Sequence, residues 1–182
     1  IQAGDVILGL PSSGLHTNGY SLVRKIFNLA KRGSRALDSF YTELGRTLGE
    51  ELLEPHRCYY RSVKPLLSGT KGGGGKGGGR QLVKGMAHIT GGGLIDNVVR
   101  ILPAGVKAIF RPEEWPAPPI FTLIQERGNV RRDEMYHVFN MGVGMVLACS
   151  PGDADEIIAA IPEARLIGEV VKGGEGQRVI IS

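Results

Sequence analysis

Two stretches of this chain carry polar and glycine residues in a pattern that could do chemistry. The first, Ser12-Ser-Gly-Leu-His-Thr-Asn-Gly19, follows the apolar run that starts at Val6 and precedes an amphipathic segment opening at Tyr20. The second, His88-Ile-Thr-Gly-Gly-Gly93, leads into Leu94, Ile95, Val98, Val99 and Leu102, which recur at helical spacing. In both, a strand passes through a polar, glycine-bearing loop directly into a helix. Glycine tolerates positive φ, and its bare backbone lets a ligand approach closely. A helix start adds unpaired N–H groups at the positive end of the dipole, so the expected chemistry is recognition of an anion. Blander readings exist for both loops: Thr17 or Asn18 can cap the helix, and the glycines can form a tight turn.

The elements that must position these loops follow from periodicity. Gly4 to Pro11 reads as a buried strand, and Tyr20, Val23, Phe27 and Ala30 mark a helix ending near Gly33. Leu44, Leu48 and Leu52 are spaced for a helix that Gly45 and Gly49 weaken. Pro55 fits the first turn of a helix from His56 to Leu67, with His56 as a surface or satisfied core histidine. Met86 to Ile89 and Val106 to Phe110 are strands, and Trp115 reads as a plug on the core. Helices are expected from Ile120, around Arg132 to Phe139, and from Asp153 to Ile161. Strands are expected at Met145 to Cys149, Leu166 to Val171 and Arg178 to Ile181. About six strands interleaved with five or six helices favour a sheet with helices packed on its faces.

Between Ser68 and Gln81 the composition changes to glycine and lysine, with nothing to anchor a core, so a mobile, solvated loop is expected. Gly72, Gly74 and Gly77 match a dinucleotide fingerprint trivially, with no strand entering and no helix leaving. Lys76 lacks the following Ser or Thr of a phosphate loop. Neither is a nucleotide site.

At 182 residues the chain is one domain able to bury a core, and 42% hydrophobic with 22% charged residues is ordinary for a globular protein. The net charge of +4, partly from Lys71, Lys76, Arg80 and Lys84, suits a phosphorylated small molecule and is too weak to argue for nucleic acid. Cys58 and Cys149 indicate neither a disulfide framework nor a zinc site. No apolar run is long enough to cross a membrane, and no signal-peptide pattern opens the chain. It begins Ile-Gln-Ala-Gly-Asp and reads as a piece of something longer.

Several runs together carry a resemblance: Gly4 through Lys25, Lys84-Gly-Met-Ala-His-Ile-Thr-Gly-Gly-Gly-Leu-Ile-Asp-Asn97, Pro119 to Gln125, Gly128-Asn-Val130, Glu134-Met-Tyr136, Phe139-Asn-Met-Gly-Val-Gly144 and Ile167-Gly-Glu-Val170. In this order they resemble the C-terminal domain of phosphoribosylformylglycinamidine cyclo-ligase, also called aminoimidazole ribonucleotide synthetase. The resemblance implies an α+β domain of three α/β/α layers on a mixed sheet of about six strands. It also implies a cytoplasmic enzyme of purine biosynthesis, homodimeric at full length, that closes formylglycinamidine ribonucleotide to aminoimidazole ribonucleotide with ATP. In that family ATP and magnesium belong mainly to an N-terminal domain, so this chain is expected to be the substrate-side half, without a metal site and inactive alone. Carried onto this sequence, Ser12, Ser13, Gly14, His16 and Asn18 would bind the ribose phosphate end or line the cleft. Thr90, Gly91, Gly92 and Gly93 would form a second wall, and Asn140, Met141 and Gly142 would complete the cleft. His88 reads as a donor or acid near the reacting amidine, or as an imidazole hydrogen-bonded within its strand. The chain departs from the family at the glycine–lysine run and at His56-Arg-Cys58, where a Thr-Arg-Ile-like run is usual. Alternatives are the sister ATP-using families: formylglycinamidine ribonucleotide amidotransferase, thiamine-monophosphate kinase, selenophosphate synthetase and the hydrogenase-maturation dehydratase. A binding module without catalysis is a further alternative.

Loop-closure cost grows only logarithmically with length, about 0.6 kcal/mol per doubling. Shortening Lys71 to Gly79 to a few residues is therefore expected to leave the melting temperature unchanged or to raise it by about 1–2 °C. A calorimetric scan showing a fall of about 5 °C or more would mean that the segment packs against the rest.

Overall fold

The computed structural model describes residues 1–67 and 80–182. The solvated-loop expectation, with Lys71 and Lys76, thus falls outside the described residues from 68 to 79. Around the first ligand-loop candidate lie β1 (Val6–Pro11) and α1 (Tyr20–Ile26), followed by the short helices α2 (Leu29–Arg32) and α3 (Ser34–Leu37). A hairpin of β2 (Phe40–Tyr41) and β3 (Arg46–Thr47) precedes α4 (Leu48–Leu52) and α5 (Tyr60–Leu67). Next come β4 (Val83–His88), α6 (Gly93–Val99), β5 (Val106–Phe110), α7 (Pro119–Gly128) and α8 (Arg132–Val138). The chain ends with β6 (Val143–Cys149), α9 (Pro151–Ala160), β7 (Arg165–Lys172) and β8 (Val179–Ile181).

The main sheet has six strands in the order β4-β6-β1-β7-β5-β8. All neighbours run antiparallel except β5 and β8, which are parallel. Every residue of β6 is buried, because the strand lies inside the sheet with helices over both faces. One face puts Ile7, Ala87, Ala108, Val146 and Ile167 under α1, α6, α7 and α8, through Val23, Leu94, Ile120, Phe121 and Met135. The other puts Leu8, Leu10, Met145 and Leu147 under α5 and α9, through Val63, Leu66 and Ile157. The result is the α+β domain of three α/β/α layers expected from the sequence.

Three local expectations are corrected. The helix from Tyr20 stops at Ile26 because Asn28 takes a left-handed conformation, φ 56°, and a separate turn of helix follows. The leucine-spaced segment at 44–52 is a hairpin turning at Gly45 and then a helix. Its start is set by a capping box between Thr47 and Glu50, a signal present in the sequence. The helix expected from His56 starts at Tyr60 instead, and residues 54–59 have no regular structure. Trp115 is a plug, as read: it is buried and donates Nε1–H to Met141 O at 2.9 Å.

The end of α8 docks on the start of α6. Gly93 sits at φ +58°, and a Cβ there would lie 1.9 Å from Tyr136 O and 2.8 Å from Phe139 O. Gly93→Ala is expected to cost about 2–5 kcal/mol, combining left-handed strain with displaced backbone. Gly45→Ala, also at positive φ but with open space around its Cβ, should cost only the strain, about 1–2 kcal/mol. Denaturant unfolding of the two variants measures the difference, and equal losses would mean that the docking yields freely.

Candidate functional site

Because β1 and β4 both run antiparallel to β6, the loops leaving β1 and β4 and the loop entering β6 meet at one end of the sheet. The Asn140 side chain, 1% exposed, ties two of them together. Its Oδ1 accepts from Ser12 Oγ and from Gly142 N–H, both at 2.8 Å, and its Nδ2 donates to Gly14 O at 2.9 Å. Ser12 N–H donates to Gly142 O at 2.9 Å, closing the same link through the backbone. Ser13 Oγ donates to Pro55 O, which draws residues 54–59 across the end of the sheet. Asn97, buried on α6, donates Nδ2–H to the carbonyls of Thr90, Gly91 and Gly93, and Thr90 Oγ1 donates to its Oδ1. The two ligand loops come together at Asn18, whose Oδ1 is 3.5 Å from where a Gly91 Cβ would stand. Asn18 Nδ2 is shielded from solvent and has no hydrogen-bond partner among the described residues.

The histidines gather here as well. The ring of His56 stacks on that of His16, with centroids 4.0 Å apart, and His56 Nε2 lies 3.1 Å from His88 Nε2. His16 is 3% exposed, and its Nε2 accepts from Ser13 N–H at 3.1 Å. Room for these rings comes from Gly144, where a Cβ would fall 1.9 Å from Tyr59 Oη and 2.7 Å from His16 Cε1. Tyr59 Oη donates to Pro11 O at 2.8 Å, and burial pushes its pKa well above the usual tyrosine value. Burial lowers His16 to about 4, with His56, His88 and Arg57 adding to the effect. His88 is lowered too, by partial burial and by His56. Its ring is exposed and lines a cavity of about 400 Å³ with His56, Cys58, Tyr59 and Met145, so it is not enclosed within the strand.

Several expected ligand groups turn out to hold the loops themselves. Ser12, Ser13, Thr90 and Asn140 spend their side-chain hydrogen bonds on one another, on Asn97 or on backbone, and Met141 is buried under Trp115 with its carbonyl engaged. The anion reading of the triple glycine is corrected at Gly92 and Gly93. Asp96 Oδ2 lies 2.6 Å from the Gly92 Cβ position, so a carboxylate already faces the start of α6. Carbonyls from the end of α8 close over Gly93, leaving Gly91 as the exposed member. Valine at Gly92 would therefore disturb folding directly, both at φ +94° and by clashing with Asp96. The basic cluster is corrected as well: Arg80 pairs with Asp153 and Lys84 with buried Asp5. His56, Tyr59, Asn97 and Gly144 belong to the site but carry no sequence signal of it. His56 and Tyr59 look like one end of a helix, and only the path of residues 54–59 reveals them.

Magnesium takes oxygen ligands, whereas the one convergent set of histidine, cysteine or acidic side chains among the described residues is three imidazoles.

Comparison with known proteins agrees with this architecture. The chain superposes over its full length on E. coli HypE, a hydrogenase maturation protein, with a TM-score of 0.57, 21% identity and 47% of that chain covered. It superposes similarly on AaThiL, solved in complex with AMPPCP and TMP, with a TM-score of 0.55, 16% identity and 48% of that chain covered. These likenesses establish the fold. The family is set by sequence: residues 2–181 match the AIR synthase related protein, C-terminal domain, and the chain belongs to that family. It is 47% identical over 177 residues to the phosphoribosylformylglycinamidine cyclo-ligase of Geobacillus thermodenitrificans, covering 95% of this chain and 47% of that protein. The chain spans about half the length of the curated relatives it matches. No helix among the described residues is long and apolar enough to cross a membrane.

A histidine that is neutral in the fold and chargeable when unfolded loses stability as pH falls from its unfolded value, near 6.5, to its folded value, about 4. Below that, the loss is constant. His16 is thus expected to make the protein up to about 3 kcal/mol less stable at pH 4 than at pH 7. Urea unfolding between pH 7 and 5 should show a shallower slope in His16→Gln than in wild type. Parallel slopes would mean that His16 does not titrate on unfolding.

Proposed function

We propose that this chain is the substrate-side half of a ligase that cyclises formylglycinamidine ribonucleotide to aminoimidazole ribonucleotide. The full-length protein would be a cytoplasmic homodimer acting in purine biosynthesis. ATP and magnesium would be held by an N-terminal domain outside this chain. The observation that carries the reading is the convergence of the Ser12–Asn18, Thr90–Gly93 and Asn140–Gly142 loops at one end of the sheet, in a chain of this family.

Within this reading the residues divide their work. Asn140, Ser12, Gly14, Gly142 and Met141 fix the loops, and Thr90 with Gly91 to Gly93 forms the second wall. Ser13 holds its loop to Pro55 O, and His16 and Asn18 serve the ribose phosphate end through Nδ1 and Nδ2, both still without partners among the described residues. His88, exposed beside the cavity, donates a hydrogen bond or proton to the amidine.

Titration calorimetry tests the assignment on the purified chain with formylglycinamidine ribonucleotide and, separately, ribose 5-phosphate. A hydrogen bond to a charged group contributes about 1.5–3 kcal/mol, or roughly 10- to 150-fold in affinity. Asn18→Ala is expected to weaken both ligands by about that factor, and His88→Ala only the ribonucleotide. Wild-type affinity in both variants would remove the site from these loops. Steady ATP turnover by the purified chain would overturn the division of labour between domains.

A further inference from the structure

Three of the chain's four histidines converge, and the ribonucleotide reading needs only two of them. We propose that His16, His56 and His88 form a binding site for a first-row divalent transition cation, with zinc as its natural occupant. Each ring offers one nitrogen, and these nitrogens all lie within 4.8 Å of one another. Around tetrahedral zinc, with Zn–N bonds of about 2.0–2.1 Å, ligand nitrogens stand about 3.4 Å apart. The His56 and His88 Nε2 atoms are already 3.1 Å apart. One of them donates a proton to the other, and that proton can move to the far nitrogen of its own ring when a cation takes the lone pair. The third ligand must close the remaining gap, and His56 must turn out of its stack on His16. His56 is half-buried and lies in the irregular segment 54–59, so it is placed to make that turn.

The donor chemistry selects the cation. Three imidazoles without a carboxylate suit zinc, copper or nickel and disfavour magnesium and calcium. His16 Nδ1 is shielded from solvent and has no hydrogen-bond partner among the described residues; because Nε2 accepts from Ser13 N–H, Nδ1 carries the ring proton, which must move to Nε2 at the cost of the Ser13 bond before Nδ1 can ligate. Arg57, whose charge acts on His16, is paired with Glu163. Three protein ligands beside a cavity of about 400 Å³ leave a fourth position for water or a solute, the pattern of an open zinc site. The inference does not rest on the ribonucleotide reading.

The test titrates zinc chloride into the chain, prepared without a polyhistidine tag and stripped with chelator, while melting temperature is followed in parallel. Binding of one equivalent is expected, with a rise in melting temperature. Loss of a ligand's supporting contact alone costs roughly 10- to 100-fold in affinity. His56→Gln and His88→Gln should each weaken zinc by at least about tenfold. His137→Gln, which alters the remaining histidine, should bind as wild type does. Circular dichroism confirms that each variant is folded, and His56 lies outside any helix or strand. Absence of binding by wild type, or equal affinity in wild type, His56→Gln and His88→Gln, overturns the proposal. Ribonucleotide is absent from every arm, so failure here leaves the proposed function standing.

Discussion

The carboxamide of Asn140 is the interaction on which the end of the sheet depends. It is buried and offers an acceptor and a donor on opposite sides of one planar group. It uses them to hold Ser12 and Gly142 on one side and Gly14 on the other. A carboxylate of the same shape could not donate to Gly14 O, and a small apolar residue would leave three buried polar groups without partners. Loops that would otherwise fray are thereby fixed to the most buried strand of the domain.

Close backbone approach is the second constraint. The start of α6 meets the end of α8 carbonyl-first, so the positive end of one helix faces the negative end of another. This contact consumes Gly93 and puts Asp96 beside Gly92. The electrostatic opportunity offered by a helix start is largely satisfied within the protein. Polar atoms without a partner among the described residues remain at Asn18 Nδ2 and His16 Nδ1.

The histidines are held in tension. Burial and the neighbouring His56 both disfavour the charged imidazole at His16 and His88. Gly144 and Tyr59 make the space, the tyrosine by bonding to Pro11 O and the glycine by having no side chain.

By itself, the sequence determined the class of fold and the position of the loops. Apolar runs carried the strands of the main sheet and helical spacing most helices, with β5 placed residue for residue. The polar loops after β1 and β4 were legible because glycine, serine, histidine and asparagine seldom cluster where a strand gives way to a helix. What the sequence could not supply is which polar groups would be spent on one another. Ser12 and Asn140 are 128 residues apart, and nothing local in either stretch reveals that they share a hydrogen bond. His56 shows this most clearly. Its neighbours carry helical spacing, yet anchors at Pro55 O and Tyr59 Oη pull the segment out straight and lay its ring between His16 and His88. Local pattern fixes which face of an element is apolar. Only long-range packing decides which loop crosses which, because that choice depends on contacts between residues that no periodicity connects.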